Sequence, residues 1–211
     1  MQAGSIDKMD NLQIEQWNSI APKIDFTLEP DFPTFMELVS KDATILDYGC
    51  GYGRISNKLQ DVGYQDIVGY DTSLEMINRG KRSFPNLQLH SYKFPNLPCA
   101  DDTFDAAICC AVLTCIPCAM DRVKVLRELK RVLKPSGILC ICDFAMNQHL
   151  EYDDSGVFRT AFGVEIKHFC QEEFLSLLKT FKCGSFSKIS SKSISGGDHE
   201  SFHYIGYNDH S

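Results

Sequence analysis

From Thr44 onward, short apolar or β-branched runs alternate with stretches whose apolar residues recur every three or four positions. A parallel sheet covered by helices accommodates that alternation, and few other folds do. Thr44-Ile-Leu-Asp-Tyr48 reads as a buried first strand, closed by a glycine turn and followed by a helix with Ile55 and Leu59 on one side that ends near Gly63. Asp66-Ile-Val-Gly-Tyr70 reads as a second strand, and Thr72-Ser-Leu-Glu75 has capping-box spacing ahead of Met76 and Ile77. Residues 87–89 give a short third strand, and residues 104–113, apolar almost throughout, a fourth buried on both faces. Val125, Leu126, Leu129, Val132 and Leu133 form an apolar stripe within 121–134 opposite Lys124, Arg127, Glu128, Lys130 and Arg131, which predicts a half-buried helix. Pro135-Ser136-Gly137 predicts a stop and a turn into a fifth strand at 138–142.

Residues 143–170 lack periodicity and are rich in Asp, His, Tyr and Phe, which predicts a substrate-side insert over the C-terminal ends of the strands. Phe174, Leu177, Leu178 and Phe181 mark a last helix, and runs at 186–194 and 202–207 flanking Gly196-Gly197 predict two antiparallel strands. Trp17, Ile20, Phe26, Phe32 and Phe35 make residues 1–40 a helical lead-in able to cap a cleft. The chain is thus expected to be one domain over 1–211: lead-in 1–40, core 41–142, insert 143–170, and last helix with hairpin 171–211.

With 21 Lys+Arg against 28 Asp+Glu the net charge is −7, and no basic cluster exists, which argues against long contacts with phosphate backbones. The longest apolar run, 106–113, falls well short of the ~20 residues of a membrane span. Asp7, Asp10 and Glu15 stand where a secretory signal needs a basic and then an apolar stretch, so a cytoplasmic location is expected. Cysteines such as Cys109, Cys110, Cys140 and Cys142 lie inside hydrophobic segments and read as small buried residues in a reducing compartment. A single CxxC, Cys115-Ile-Pro-Cys118, lacks the second pair of a zinc site, and no metal is expected.

Asp47-Tyr-Gly49-Cys-Gly51-Tyr-Gly53 sits where the first strand meets the first core helix, and glycines there let backbone approach a ligand closely. Eighteen positions later Asp71 ends the second strand, where a carboxylate can accept from both hydroxyls of a ribose. Arg54 stands where a dinucleotide fingerprint requires glycine, so the turn suits a smaller, zwitterionic tail better than a pyrophosphate.

These residues, with Gly69-Tyr-Asp71-Thr-Ser, Leu97-Pro-Cys-Ala-Asp-Asp-Thr-Phe-Asp105 and Arg127-Glu-Leu-Lys-Arg-Val-Leu-Lys-Pro-Ser-Gly137, resemble the class I S-adenosylmethionine-dependent methyltransferases. The resemblance covers roughly residues 40–145. It implies a Rossmann-like three-layer α/β sandwich around a seven-stranded, mostly parallel sheet with an antiparallel last strand. It also implies S-adenosyl-L-methionine as cofactor, with Asp47, Gly49, Gly51 and Gly53 at its methionine end and Asp71 on the ribose. Thr72 or Ser73 would flank the adenosine, and residues 110–112, beginning with Cys110, would pass beneath the sulfonium. Where many relatives place an acid near the adenine amino group, this chain has Tyr92-Lys93-Phe94, leaving Lys93, Phe94, Leu74 or backbone groups to meet the base.

In-line methyl displacement asks the protein chiefly to position two reactants and exclude water. Where an acceptor needs a base, histidine suits the task, and His168 and His149 in or beside the insert are the candidates, ahead of Asp143 and Tyr152. A histidine so placed more often makes a structural hydrogen bond. Trp17, Phe158, Phe162 and Phe169 are candidates to line an acceptor pocket, with Arg159 opposite an acceptor carboxylate, although each aromatic residue equally suits the core. A base-methylating Asn/Asp-Pro-Pro-Tyr/Phe signature is absent after the fourth strand, so a small-molecule acceptor is the leading expectation. A tRNA wobble-uridine methyltransferase and a non-catalytic cofactor-binding subunit are the alternatives.

Overall fold

The computed structural model describes residues 6–160, 162–192 and 198–209. Two lead-in helices, Ile6–Ile20 (α1) and Phe32–Leu38 (α2), precede Ile45–Tyr48 (β1), whose four side chains are all buried. Arg54–Asp61 (α3), Ile67–Asp71 (β2), Leu74–Ser83 (α4), Gln88–Ser91 (β3) and Phe104–Cys110 (β4) follow. Ala119–Val132 (α5) leads into Leu133–Phe144 (β5); a small hairpin of Val157–Arg159 (β6) and Glu165–Lys167 (β7) stands outside the main sheet. Gln171–Leu177 (α6), Lys182–Lys192 (β8) and Asp198–Tyr207 (β9) complete the fold.

The main sheet has the order β3-β2-β1-β4-β5-β9-β8. Its first five strands pair in parallel, and β9 runs antiparallel to both β5 and β8. One face packs Val125, Leu129 and Val132 of α5 and Phe174 of α6 on Leu46, Ala107, Leu139, Ile141 and Tyr204. The other packs Phe35 of α2 and Ile55 and Leu59 of α3 on Ile45, Ala106, Ile108, Cys140 and Ile205. The sheet is therefore the middle of three layers, which is why β1 and β4 are apolar rather than alternating.

Four local expectations shift. Ser73, rather than Thr72, caps α4, its Oγ accepting from Met76 N–H at 3.2 Å, which leaves Thr72 free of the cap. β4 ends at Cys110 because Ala111 turns into the left-handed region (φ 57°), and Leu113–Cys115 forms one 3₁₀ turn. Pro135-Ser136-Gly137 does not separate helix from strand: β5 starts at Leu133 and absorbs the motif through a register shift opposite Phe104/Ala106. Asn208 pins that irregular start, its side chain donating to Leu133 O at 2.7 Å and its carbonyl accepting from Ser136 N–H at 2.8 Å. The expected 143–170 insert carries the β6–β7 hairpin instead of remaining a loop. The Gly196-Gly197 turn lies outside the described residues. Among the described residues no helix is long and apolar enough to cross a membrane.

Candidate active site

Parallel strands bring their C-terminal ends, and the loops that follow, to one edge of the sheet. There β1, β2 and β4 open into a cleft bordered by Asp47, Gly49, Gly51 and Asp71 and by Gln13, Ile14 and Trp17 of α1. Gly49 and Gly51 hold φ of +68° and +55°, where a side chain costs about 1–2 kcal/mol. A Cβ on Gly51 would stand 3.2 Å from the Phe26 ring, and one on Gly49 would run into Val112, so the cradle depends on bare backbone.

Asp71 lines the cleft with its carboxylate already oriented: Oδ2 accepts from Gly51 N–H at 2.8 Å and Oδ1 from Ser73 N–H at 2.7 Å. Burial pushes its carboxyl above the ordinary value, against the pull of the hydrogen bonds from Ser73, Gly51 and Thr72. Asp47 is buried, and its Oδ2 accepts from Ser56 N–H at 3.0 Å and Oγ–H at 2.6 Å. Burial raises it to about 6, partly offset by Ser56 and Arg54 and reinforced by Asp71. Arg54 also borders the cleft; its guanidinium donates to the Leu28 carbonyl and to Glu29 at 3.2 Å.

The roof is built from the lead-in. Asn18 Oδ1 accepts from Ser73 Oγ–H at 2.7 Å and from Glu75 N–H at 3.3 Å, which docks α1 on the start of α4. Gln13 donates to the Cys115 carbonyl, and Gln16 to the Gly163 carbonyl at 3.4 Å, so α1 straps the cleft from α4 to the 3₁₀ turn and the β6–β7 hairpin. Phe26 stacks on Tyr52 with centroids 5.8 Å apart and meets Trp17 at 6.1 Å. Opposite, Phe94, Val112, Cys115, Ile116 and Asp121 close the wall. That wall is fixed from behind: Asp143 accepts from Leu113 N–H (3.2 Å) and Thr114 N–H (3.0 Å), and Arg122 donates to the carbonyls of Ile116 (2.7 Å) and Pro117 (2.9 Å). Burial pushes Asp143 up to about 8.

Of the sequence-expected residues, Asp47, Gly49, Gly51, Asp71, Thr72, Phe94, Cys110 and Trp17 meet in this cleft. Gly53 lies behind it, against Leu87 and Leu89, while Lys93 and Leu74 are exposed and outside its lining. Neither histidine reaches it. His168 is buried against Phe144, Tyr152 and Phe158, with Nδ1 2.9 Å from the Tyr152 hydroxyl, and burial, with His199 and Lys167 nearby, lowers it to about 4. His149 is exposed at a separate depression beside Ser190 and Glu200. Phe158 packs on His168, Phe169 is in the core, Phe162 is exposed, and Arg159 pairs with Glu165 at 2.8 Å. The reason is the hairpin: β6 and β7 gather Tyr152, Phe158 and His168 around Phe144, outside the lining of the cleft. Gln13, Phe26, Cys115 and Asp121 join the site without a local motif; only the apolar lead-in hinted at Phe26.

A family profile described as a methyltransferase domain matches residues 46–141. The demethylmenaquinone methyltransferase of Renibacterium salmoninarum is 30% identical over 172 residues, spanning 77% of this chain and 68% of that protein. The demethylmenaquinone methyltransferase of Paenarthrobacter aurescens is 37% identical over 101 residues, 48% of this chain and only 38% of its own length. The crystal structure of a SAM-dependent methyltransferase from Methanosarcina mazei superposes with a TM-score of 0.78 at 26% identity, covering 85% of this chain and 98% of that one. With the glycine cradle, Asp71 and the strand order, these matches make the chain a member of the class I S-adenosylmethionine-dependent methyltransferases.

Proposed function

We propose that the chain transfers the methyl group of S-adenosylmethionine to a small, largely apolar ring acceptor seated between α1 and residues 111–117. The observation that carries this reading is one cleft whose lining combines two chemistries: an oriented carboxylate with bare glycine backbone, and the apolar side chains of Trp17, Phe94, Val112 and Ile116. S-adenosylmethionine suits this donor set. When bound it supplies a methyl group on a sulfonium, open to in-line displacement by the acceptor. Asp71 would accept from the ribose hydroxyls, Gly49 and Gly51 would admit the methionine end, and Asp47 would meet its ammonium directly or through water. Thr72, Tyr92 and Phe94, which line the cleft, would flank the base, and Cys110 and Val112, also in the lining, would lie near the reacting group.

The α1 strap and the braced wall do the positioning and exclude water, which supplies most of what such a displacement needs. Among the described residues no histidine lines the cleft, so the transfer is assigned no histidine base. The relatives' names favour a quinone-type ring, whose flat apolar body fits aromatic walls, and the ten unpaired cysteines suit a reducing cytosol. Incubation with S-adenosylmethionine labelled in its methyl group, with a short-chain demethylmenaquinol and with total tRNA in parallel, tests the reading. Label in the extracted quinol supports it; label in tRNA alone, or none despite cofactor binding, contradicts it.

A further inference from the structure

Cys110 and Cys142 occupy directly paired positions on β4 and β5, on the same face of the sheet, with their Sγ atoms 2.9 Å apart. Neighbouring strands run about 4.8 Å apart, inside the range of roughly 4.4–6.8 Å that disulfides span between Cα atoms. Closing the sulfurs to a bonded ~2.05 Å therefore needs an approach of under about 1 Å. The two differ in access: Cys110 is half-buried and lines the cleft, whereas Cys142 is buried behind it. Cys110 also ties down the roof, since its thiol donates to the Leu28 carbonyl at 3.4 Å, the same oxygen that Arg54 holds, two residues from Phe26.

We propose that Cys110 and Cys142 form an oxidisable dithiol site that hydrogen peroxide converts into an internal disulfide, loosening the roof of the cleft. Cys110, reached from the cleft, attacks first; burial pushes the Cys142 thiol well above its ordinary value and keeps it protonated until then. The Cys110 sulfur displaces one peroxide oxygen, breaking the O–O bond to give a sulfenic acid and one water. The Cys142 sulfur then displaces the sulfenic hydroxyl, the S–S bond forms, and the Cys142 proton leaves with that hydroxyl as a second water. Two thiols lose two electrons and two protons, which reduce one peroxide to two waters. With its proton gone, Cys110 no longer donates to Leu28, whose carbonyl keeps only Arg54, while Lys58 on Glu29 and the Phe26 N–H on the Tyr52 hydroxyl still hold the flanks of the segment.

The loosening rests on the cleft being the cofactor site, whereas the dithiol chemistry does not. The test treats the whole protein with hydrogen peroxide, alkylates the remaining thiols, and assigns each sulfur by tandem mass spectrometry. Calorimetry with S-adenosylhomocysteine runs alongside. The expected result is loss of two of the ten thiols as a Cys110–Cys142 link, with Kd for S-adenosylhomocysteine raised about threefold or more, both reversed by dithiothreitol. Cys142→Ala should keep its affinity through the same treatment, and the mapping of the unaltered protein stands should that variant fold poorly. Recovery of Cys110 and Cys142 as alkylated thiols while other cysteines oxidise overturns the proposal, as does a formed link with unchanged affinity. A reduced protein that binds no S-adenosylhomocysteine sinks the reading of the cleft instead, and the mapping still decides the dithiol.

Discussion

Asp71→Asn separates the ligand's demand on this position from the fold's. The carboxylate accepts from two backbone groups, Gly51 N–H at 2.8 Å and Ser73 N–H at 2.7 Å, and an amide can accept on only one side. For the empty protein two effects then oppose each other. Burial raises the Asp71 carboxyl, so the folded chain holds its proton more tightly than the unfolded chain, and the ionised form is a liability that grows as pH rises above the ordinary carboxylate range. Asparagine removes that liability and leaves one N–H facing an amide N–H. The balance should keep Tm at pH 7 within a few degrees, since about 1 kcal/mol moves a domain of this size by roughly 2–4 °C. Ligand binding has no such compensation, because ribose hydroxyls donating to a charged acceptor gain about 1.5–3 kcal/mol per bond. A net loss of about 2 kcal/mol weakens S-adenosylhomocysteine roughly 30-fold. Calorimetry and thermal melts on the same samples read both quantities. A folded variant that binds within twofold of the parent would refute the ribose assignment.

Gly51→Ala adds about 1–2 kcal/mol of left-handed strain, which should lower Tm by a few degrees, and a Cβ 3.2 Å from Phe26 in the cradle, which should weaken S-adenosylhomocysteine binding by calorimetry with an unchanged circular dichroism spectrum. Asp143, raised to about 8, contributes stability that is complete in acid and is lost as pH climbs from about 4 through 8. Urea midpoints should fall across that range, and Asp143→Asn should flatten the slope. His168, lowered to about 4, contributes stability that is present above roughly 6.5 and is lost as pH falls toward 4. His168→Gln should flatten this acid limb and leave S-adenosylhomocysteine affinity within threefold; a larger loss would return His168 to the site.

The sheet is legible in the sequence because its strands are buried on both faces: Ile45-Leu46 and Ala106 to Cys109 have no alternation to be misread, and the glycine turn fixes where the first ends. What resists reading is set by contacts far along the chain. β5 runs through Pro135 only because Asn208, more than seventy residues on, holds its first carbonyls. The α4 cap falls on Ser73 rather than Thr72 because Asn18 of α1 takes the Ser73 hydroxyl proton. At the cleft, the part formed by the strand ends follows from local motifs, since strand ends and glycines place Asp47, Gly49, Gly51 and Asp71 by chain geometry alone. The rest of the lining is assembled from α1, the 3₁₀ turn and the start of α5, and side chains such as Gln13, Cys115 and Asp121 carry no periodic signal of their destination. His168 illustrates the converse. Its position in a polar, aromatic insert looks catalytic, yet the pairing of Val157–Arg159 with Glu165–Lys167 turns it inward against Phe144.

A crystal structure of the whole chain grown with S-adenosylhomocysteine tests the central claim most directly. The account predicts both ribose hydroxyls within about 2.6–3.0 Å of the Asp71 carboxylate oxygens, the homocysteine tail over Gly49 and Gly51, and its sulfur facing Val112 and Ile116. Density for the nucleoside anywhere else, or Asp71 still bonded only to Gly51 and Ser73 beside a filled cleft, would contradict it.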